Sequence, residues 1–144
     1  MVDKQMNKRS FLEKLKKNEK IMNNQEEPYL KLYIAVLDEV ADGMVPTLVA
    51  HSMLGAHLEF EESDLKLPNN RFYLEWIQNS FRKCVVRVNR KEFEKIKQLD
   101  KVYLGHENTT LSGEKSCAVV YPVWSNDLPN VLKFAKLCKP ICQK

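Results

Sequence analysis

The sequence predicts an α/β protein: one domain with a four-stranded mixed sheet flanked by helices in three layers, in the order β-α-α-β-α-β-β-α, preceded by a basic N-terminal helix. Three observations predict it. Apolar runs of strand length alternate with segments of helical periodicity, the signature of an α/β fold. Two strand-like runs late in the chain follow one another with no helix between them, so the sheet is mixed. And 144 residues, 44% hydrophobic and 29% charged, are enough for a single packed core and leave no room for a second.

Each element has its own warrant. Ser10-Phe11-Leu12-Glu13 has the form of a capping box, and Leu15, Ile21 and Met22 follow as a thin apolar stripe. Polar residues from Asn23 to Glu27, then Pro28, end this helix. Residues 1–28 therefore read as an arm and 29–144 as the α/β domain. From Leu30 the run Leu-Lys-Leu-Tyr-Ile-Ala-Val-Leu is nearly continuous in apolar residues, as in a strand buried on both faces, and it stops at Asp38. After a loop, Val45, Leu48, Val49, Ser52 and Ala56 recur at helical spacing, which predicts a helix from about Met44 to Phe60. The acidic stretch Glu59 to Asp64 and the polar Pro68-Asn-Asn70 read as a connection, and Phe72 to Phe81 as a second helix whose aromatics belong to the core.

Lys83 to Val88 is the second predicted strand. Asn89 to Glu92 then starts a helix that turns Phe93, Ile96 and Leu99 inward and its lysines outward. Val102 to Leu104 is a short third strand and Lys115 to Trp124 the fourth, with Pro122 marking a free edge or a bulge late in its course. The last predicted helix begins near Ser125, with Pro129 in its first turn, and carries Leu128, Val131, Leu132, Ala135 and Leu137.

Composition excludes several function classes. No apolar run approaches the roughly 18 residues that a membrane helix needs, and Lys4, Lys8 and Arg9 are followed by no apolar signal core; a cytoplasmic protein without membrane contact is expected. The net charge of +4 lies entirely in residues 1–24, where seven basic side chains face three acidic ones. The rest of the chain is formally neutral. Such an arm fits either a solvated helical tail or a cationic element that holds RNA or an acidic protein. Cys84 and Cys117 sit in apolar runs as small hydrophobes, and Cys138 and Cys142 match no zinc-ligand spacing; neither a metal nor another cofactor is expected.

In α/β sheets ligands collect beyond the carboxyl ends of strands, which directs attention to the loop from Asp38 to Gly43. Its one glycine makes no phosphate cradle, and Asp38, Glu39 and Asp42 repel an anion. His51 lies among Val49, Ala50 and Leu54, as a structural histidine would, and shares no metal with His57 six positions on. His106 stands in the polar loop Gly105-His-Glu-Asn-Thr-Thr110, which fits a functional loop and an ordinary surface loop equally.

The run Leu32-Tyr-Ile-Ala-Val-Leu-Asp38, followed after a loop by Ala50-His-Ser-Met-Leu-Gly-Ala56, resembles the opening of the type 2 peptidyl-tRNA hydrolases, where a strand ending in Asp leads into a helix bearing Ala-His-Ala-Ala-x-Gly-Ala. Element order is similar over residues 30–139, and Gly113 matches the glycine that closes the family's last loop. The resemblance implies that family's α/β fold and a site around Asp38, His51, His106 and Thr109 for cleaving the ester between peptide and tRNA. It also locates departures. The family's lysine seven positions before the histidine and its glutamine three before it are here Met44 and Leu48. A thioether and an isobutyl group stabilise no developing charge and orient no water. The expectation is therefore a hydrolase-like fold serving as a binding module for RNA, tRNA or a protein, with lost or altered hydrolysis; the alternative is an active peptidyl-tRNA hydrolase.

Overall fold

A computed structural model describes residues 11–14 and 27–139. Five strands, β1 (Leu30–Leu37), β2 (Arg82–Val88), β3 (Val102–Gly105), β4 (Cys117–Trp124) and β5 (Lys136–Leu137), form one mixed sheet in the order β3-β4-β1-β2-β5. Only β1 and β2 run parallel; β4 is antiparallel to β1, β3 to β4 and β5 to β2. The helices are α1 (Val45–Leu65), α2 (Phe72–Gln78), α3 (Arg90–Lys97) and the single turn α4 (Asn130–Lys133). They flank the sheet, with α1 packed on α2 and α3 on α4. The α/β class and the mixed sheet expected from sequence are thus present.

The apolar run of β1 explains its central position. Leu32, Ile34 and Val36 point to one face and Tyr33, Ala35 and Leu37 to the other, and all six are buried. β4 covers one edge with a register shift between Lys31 and Tyr33, opposite Tyr121 and Pro122. The proline, which has no N–H to donate, sits in this irregularity beyond the last residue that β3 pairs. Around the sheet the largest fully buried side chains include Trp76, Tyr73, Leu32, Leu37, Leu48, Ile96 and Leu132.

Four expectations need correction. The sheet has five strands, not four, because the last helix is one turn long: instead of continuing through Leu137, the chain pairs Lys136 and Leu137 with Arg87 and Val86. The Cys138 N–H extends this pairing to the Val85 carbonyl at 2.8 Å, so bonds along the free edge of β2 replace those of a longer helix. Second, α1 absorbs the acidic stretch read as a connection. Leu48, Ser52, Ala56, Phe60 and Asp64 continue the buried row at four-residue steps, and the helix ends only at Leu65. Third, α2 stops at Gln78, and Phe81 closes it with a positive φ of 51° and an N–H donated to the Trp76 carbonyl at 2.8 Å. Fourth, the strand expected from Lys115 begins at Cys117. The capping box of α3 forms as its sequence requires: Asn89 Oδ1 accepts from the Glu92 N–H at 2.8 Å, and Glu92 Oε1 from the Asn89 N–H at 3.1 Å.

Asp64 is fully buried and organises the junction of α1, α2 and β4. Its Oδ2 accepts from the Tyr73 and Leu74 N–H groups at 2.9 and 3.1 Å, and its Oδ1 from the Tyr121 hydroxyl at 2.7 Å. A carboxylate from α1 therefore caps the first turn of α2. The Tyr121 oxygen also accepts from the Phe72 N–H at 2.9 Å. Residues 11–14 of the arm are helical, as its capping box predicts, while the rest of the predicted arm helix and Cys142 lie outside the described residues. Among the described residues no helix is long and apolar enough to cross a membrane.

Candidate functional site

Two sequence-predicted residues meet. His51 projects from α1 and His106 from the loop after β3, with ring centroids 6.2 Å apart and planes at 65°. His51 Nδ1 lies 3.5 Å from Glu107 Oε1, and its side chain is half exposed. The close approach behind this pair depends on Gly105: a Cβ there would lie 1.9 Å from Ser52 Oγ, so only glycine lets β3 and its loop rest directly on α1. Ser52, one residue after His51, points inward against that glycine.

The loop itself is tightly built. The Thr110 N–H donates to the Glu107 carbonyl at 3.1 Å, and the Gly113 N–H to the Thr110 carbonyl at 3.0 Å. Leu111, Ser112 and Gly113 follow with φ of 47°, 56° and 79°. Leucine and serine in the left-handed region cost about 1–2 kcal/mol each, so neighbouring contacts must hold this turn in place. Thr109, the threonine singled out from sequence, is exposed; its neighbour Thr110 is buried. Among the described residues the buried hydroxyls of Ser52, Thr110 and Ser116 have no hydrogen-bond partner. Burial pushes the nearby Cys117 thiol up to about 11, so this cysteine is protonated at neutral pH.

Asp38 belongs to a different arrangement. It follows β1 and lines a cleft of 640 Å³ with Asp42, Arg87, Asn89, Glu92, Lys136 and Lys139, at the carboxyl ends of β1 and β2. Among the described residues its carboxylate has no hydrogen-bond or ion-pair partner, and His51 does not contact it. Arg87 Nη2 ties down the loop instead, donating to the carbonyls of Asp38 and Val40 at 3.1 and 2.7 Å. Arg90 is held between Glu39 at 2.6 Å and Glu114 at 2.7 Å. The Arg90 guanidinium in turn keeps the Glu114 carboxyl below the ordinary glutamate range.

Of the four residues, His51 and His106 come together, while Asp38 lines the other cleft and Thr109 is exposed three positions beyond His106 in the same loop. Sequence reading missed Glu107, which was visible beside His106, and Arg87, which strand alternation alone could not distinguish from any other strand cation. His57 is accounted for by Tyr73 Oη at 2.8 Å and Glu61 Oε2 at 3.1 Å. Met44 is half-buried, and Leu48 is fully buried in the core. No three His, Cys, Asp or Glu side chains among the described residues lie close enough together to hold a metal ion. Neither the family models nor the curated proteins give a match to this chain.

Proposed function

We propose that this chain is a binding module built on a peptidyl-tRNA hydrolase-like fold, in which ester hydrolysis has been lost and the basic N-terminal arm attracts RNA. The observation that carries the reading is the position of Leu48, 0% exposed in the core where the resembled family has a polar side chain for its chemistry. A second point supports it. The mouth of the β1 loop carries Asp38, Glu39 and Asp42, and of the cations around it Arg87 and Arg90 are engaged with carbonyls or carboxylates, which leaves Lys136 and Lys139 at the cleft's far side. Since affinity for nucleic acid rests mainly on cations that meet phosphate, the arm is the element suited to that contact.

Fluorescence anisotropy with labelled tRNA tests this reading. The full chain should bind, and deletion of residues 1–24 should weaken binding and flatten its salt dependence. For every phosphate that the truncated chain no longer neutralises, the slope of log K against log salt should become shallower by about 0.7 to 0.9. Equal affinity and slope with and without the arm would overturn the RNA assignment. Binding of an acidic protein with no binding of tRNA would transfer the arm to that class of partner.

A second reading has one specific observation in its favour. His51 has a carboxylate, Glu107, beside one ring nitrogen, the arrangement that orients a general base. In that reading the chain is an active esterase centred on His51 and His106, and Asp38 takes part only if the loops close.

A further inference from the structure

The cleft at the carboxyl ends of β1 and β2 holds charges of both signs that the fold leaves unmatched. These two strands are adjacent and parallel, and the chain leaves them for different helix layers, β1 for α1 and α2, β2 for α3 and α4. In α/β sheets a crevice opens where neighbouring strands part in this way, and small ligands collect in it. The volume of 640 Å³ is that of a pocket for a small molecule.

Two cations meet on one wall. Lys136 on β5 pairs directly with Arg87 on β2, so their side chains share a face of the sheet, and like charges opposed in this position repel. Arg87 is fastened through Nη2, which donates to the Asp38 and Val40 carbonyls, whereas its Nη1 is buried with no acceptor. The Lys136 ammonium has no partner among the described residues either. A buried guanidinium donor left unpaired is costly, and an anion set between Arg87 and Lys136 relieves both the orphaned donor and the repulsion.

A plain anion is the wrong occupant. Asp38 and Asp42 line the same cleft, and the Asp38 carboxylate is unpartnered among the described residues. Asp42 Oδ1 lies 3.5 Å from Arg87 Nη2, and that nitrogen lies 3.1 Å from the Asp38 carbonyl, so acidic and basic groups are close neighbours here. A free carboxylate in that position calls for a cation directly beside the bound anion. An α-amino acid carries both charges on one carbon atom. Phe134 and Leu137, 74% and 66% exposed, border the cleft as well and offer an apolar surface to its side chain.

We propose that this cleft binds a free α-amino acid with a large apolar side chain, its carboxylate between Arg87 and Lys136 and its ammonium on Asp38. The side chain lies against Phe134 and Leu137. The site is separate from the His51 and His106 pair, and it does not depend on what the arm binds.

Isothermal titration calorimetry of the full chain tests it, with L-phenylalanine as the probe. L-phenylalanine should bind saturably. N-acetyl-L-phenylalanine, which lacks the ammonium, and L-phenylalaninamide, which lacks the carboxylate, should each bind roughly tenfold or more weakly. Asp38→Asn should bring the affinity for L-phenylalanine down toward that of the acetylated compound, and Lys136→Gln toward that of the amide. Both side chains are exposed, so the two variants should keep the wild-type circular dichroism spectrum. No saturable heat with L-phenylalanine, or equal binding of the three compounds, would overturn the proposal. So would binding of inorganic phosphate that is lost in Lys136→Gln and unaffected by Asp38→Asn, since the cleft would then be a simple anion site.

Discussion

Replacing Asp64 with alanine should cost about 3 kcal/mol. The carboxylate has three donors, and they are not equally dependent on it. Leu74 N–H and the Tyr121 O–H have no other acceptor, whereas Tyr73 N–H keeps the Tyr121 oxygen at 3.2 Å. Two orphaned buried donors at about 1–2 kcal/mol each, plus a weakened third, give that figure. For a domain of this size about 4 °C of melting temperature accompanies each kcal/mol, so the melting point should fall by about 12 °C. Tyr121→Phe removes one of these bonds and also the acceptor of the Phe72 N–H, and should cost about 2 kcal/mol. Because the two residues share a hydrogen bond, the double variant should be less destabilised than the sum of the single ones by about 1 kcal/mol. Urea denaturation followed by circular dichroism measures all four proteins. A loss below about 1 kcal/mol for Asp64→Ala, or strict additivity in the cycle, would refute this view of the junction.

Gly105→Ala should destabilise strongly, since its Cβ would also lie 3.1 Å from the Ser52 Cα and cannot be relieved by a side-chain rotation alone; a cost of about 2–3 kcal/mol is expected from the same denaturation assay. Leu48→Gln, the change that would restore the resembled family's residue, buries an unpaired amide and should cost about 2–4 kcal/mol without creating turnover. Alkaline pH should weaken the fold. Burial first, and then the neighbouring carboxylates, push Tyr73 and Tyr121 up to about 12. Their folded values lie above the unfolded value of 10, so the stability they contribute is complete below pH 10 and is lost as pH rises toward 12. Denaturation midpoints measured from pH 8 upward should fall in that window, and Tyr121→Phe should reduce the fall.

The legibility of this fold followed local periodicity. β1 could be read because every residue from Leu32 to Leu37 is apolar, and α3 because its capping box and inward positions lie within ten residues of one another. The end of α1 was obscured by Glu59, Glu61 and Glu62, whose charges resemble a loop although Phe60 and Asp64 continue the buried row. β5 could not be read at all. Two exposed residues, Lys136 and Leu137, have no strand signal of their own and are fixed by the free edge of β2 fifty residues earlier in the chain. At the candidate site, proximity of His51 and His106 depends on the approach of β3 to α1 across Gly105, a tertiary fact. The separation of Asp38 from His51 is of the same kind: both follow β1 in sequence, yet the loop turns the carboxylate toward β2 and β5.

The central proposal is that this chain binds without hydrolysing, and turnover of peptidyl-tRNA by the full chain tests it most directly. Free tRNA should appear no faster than in buffer, and His51→Ala should leave that rate unchanged. Release well above the buffer rate, abolished by His51→Ala in a folded protein, would contradict the claim and establish the esterase reading in its place.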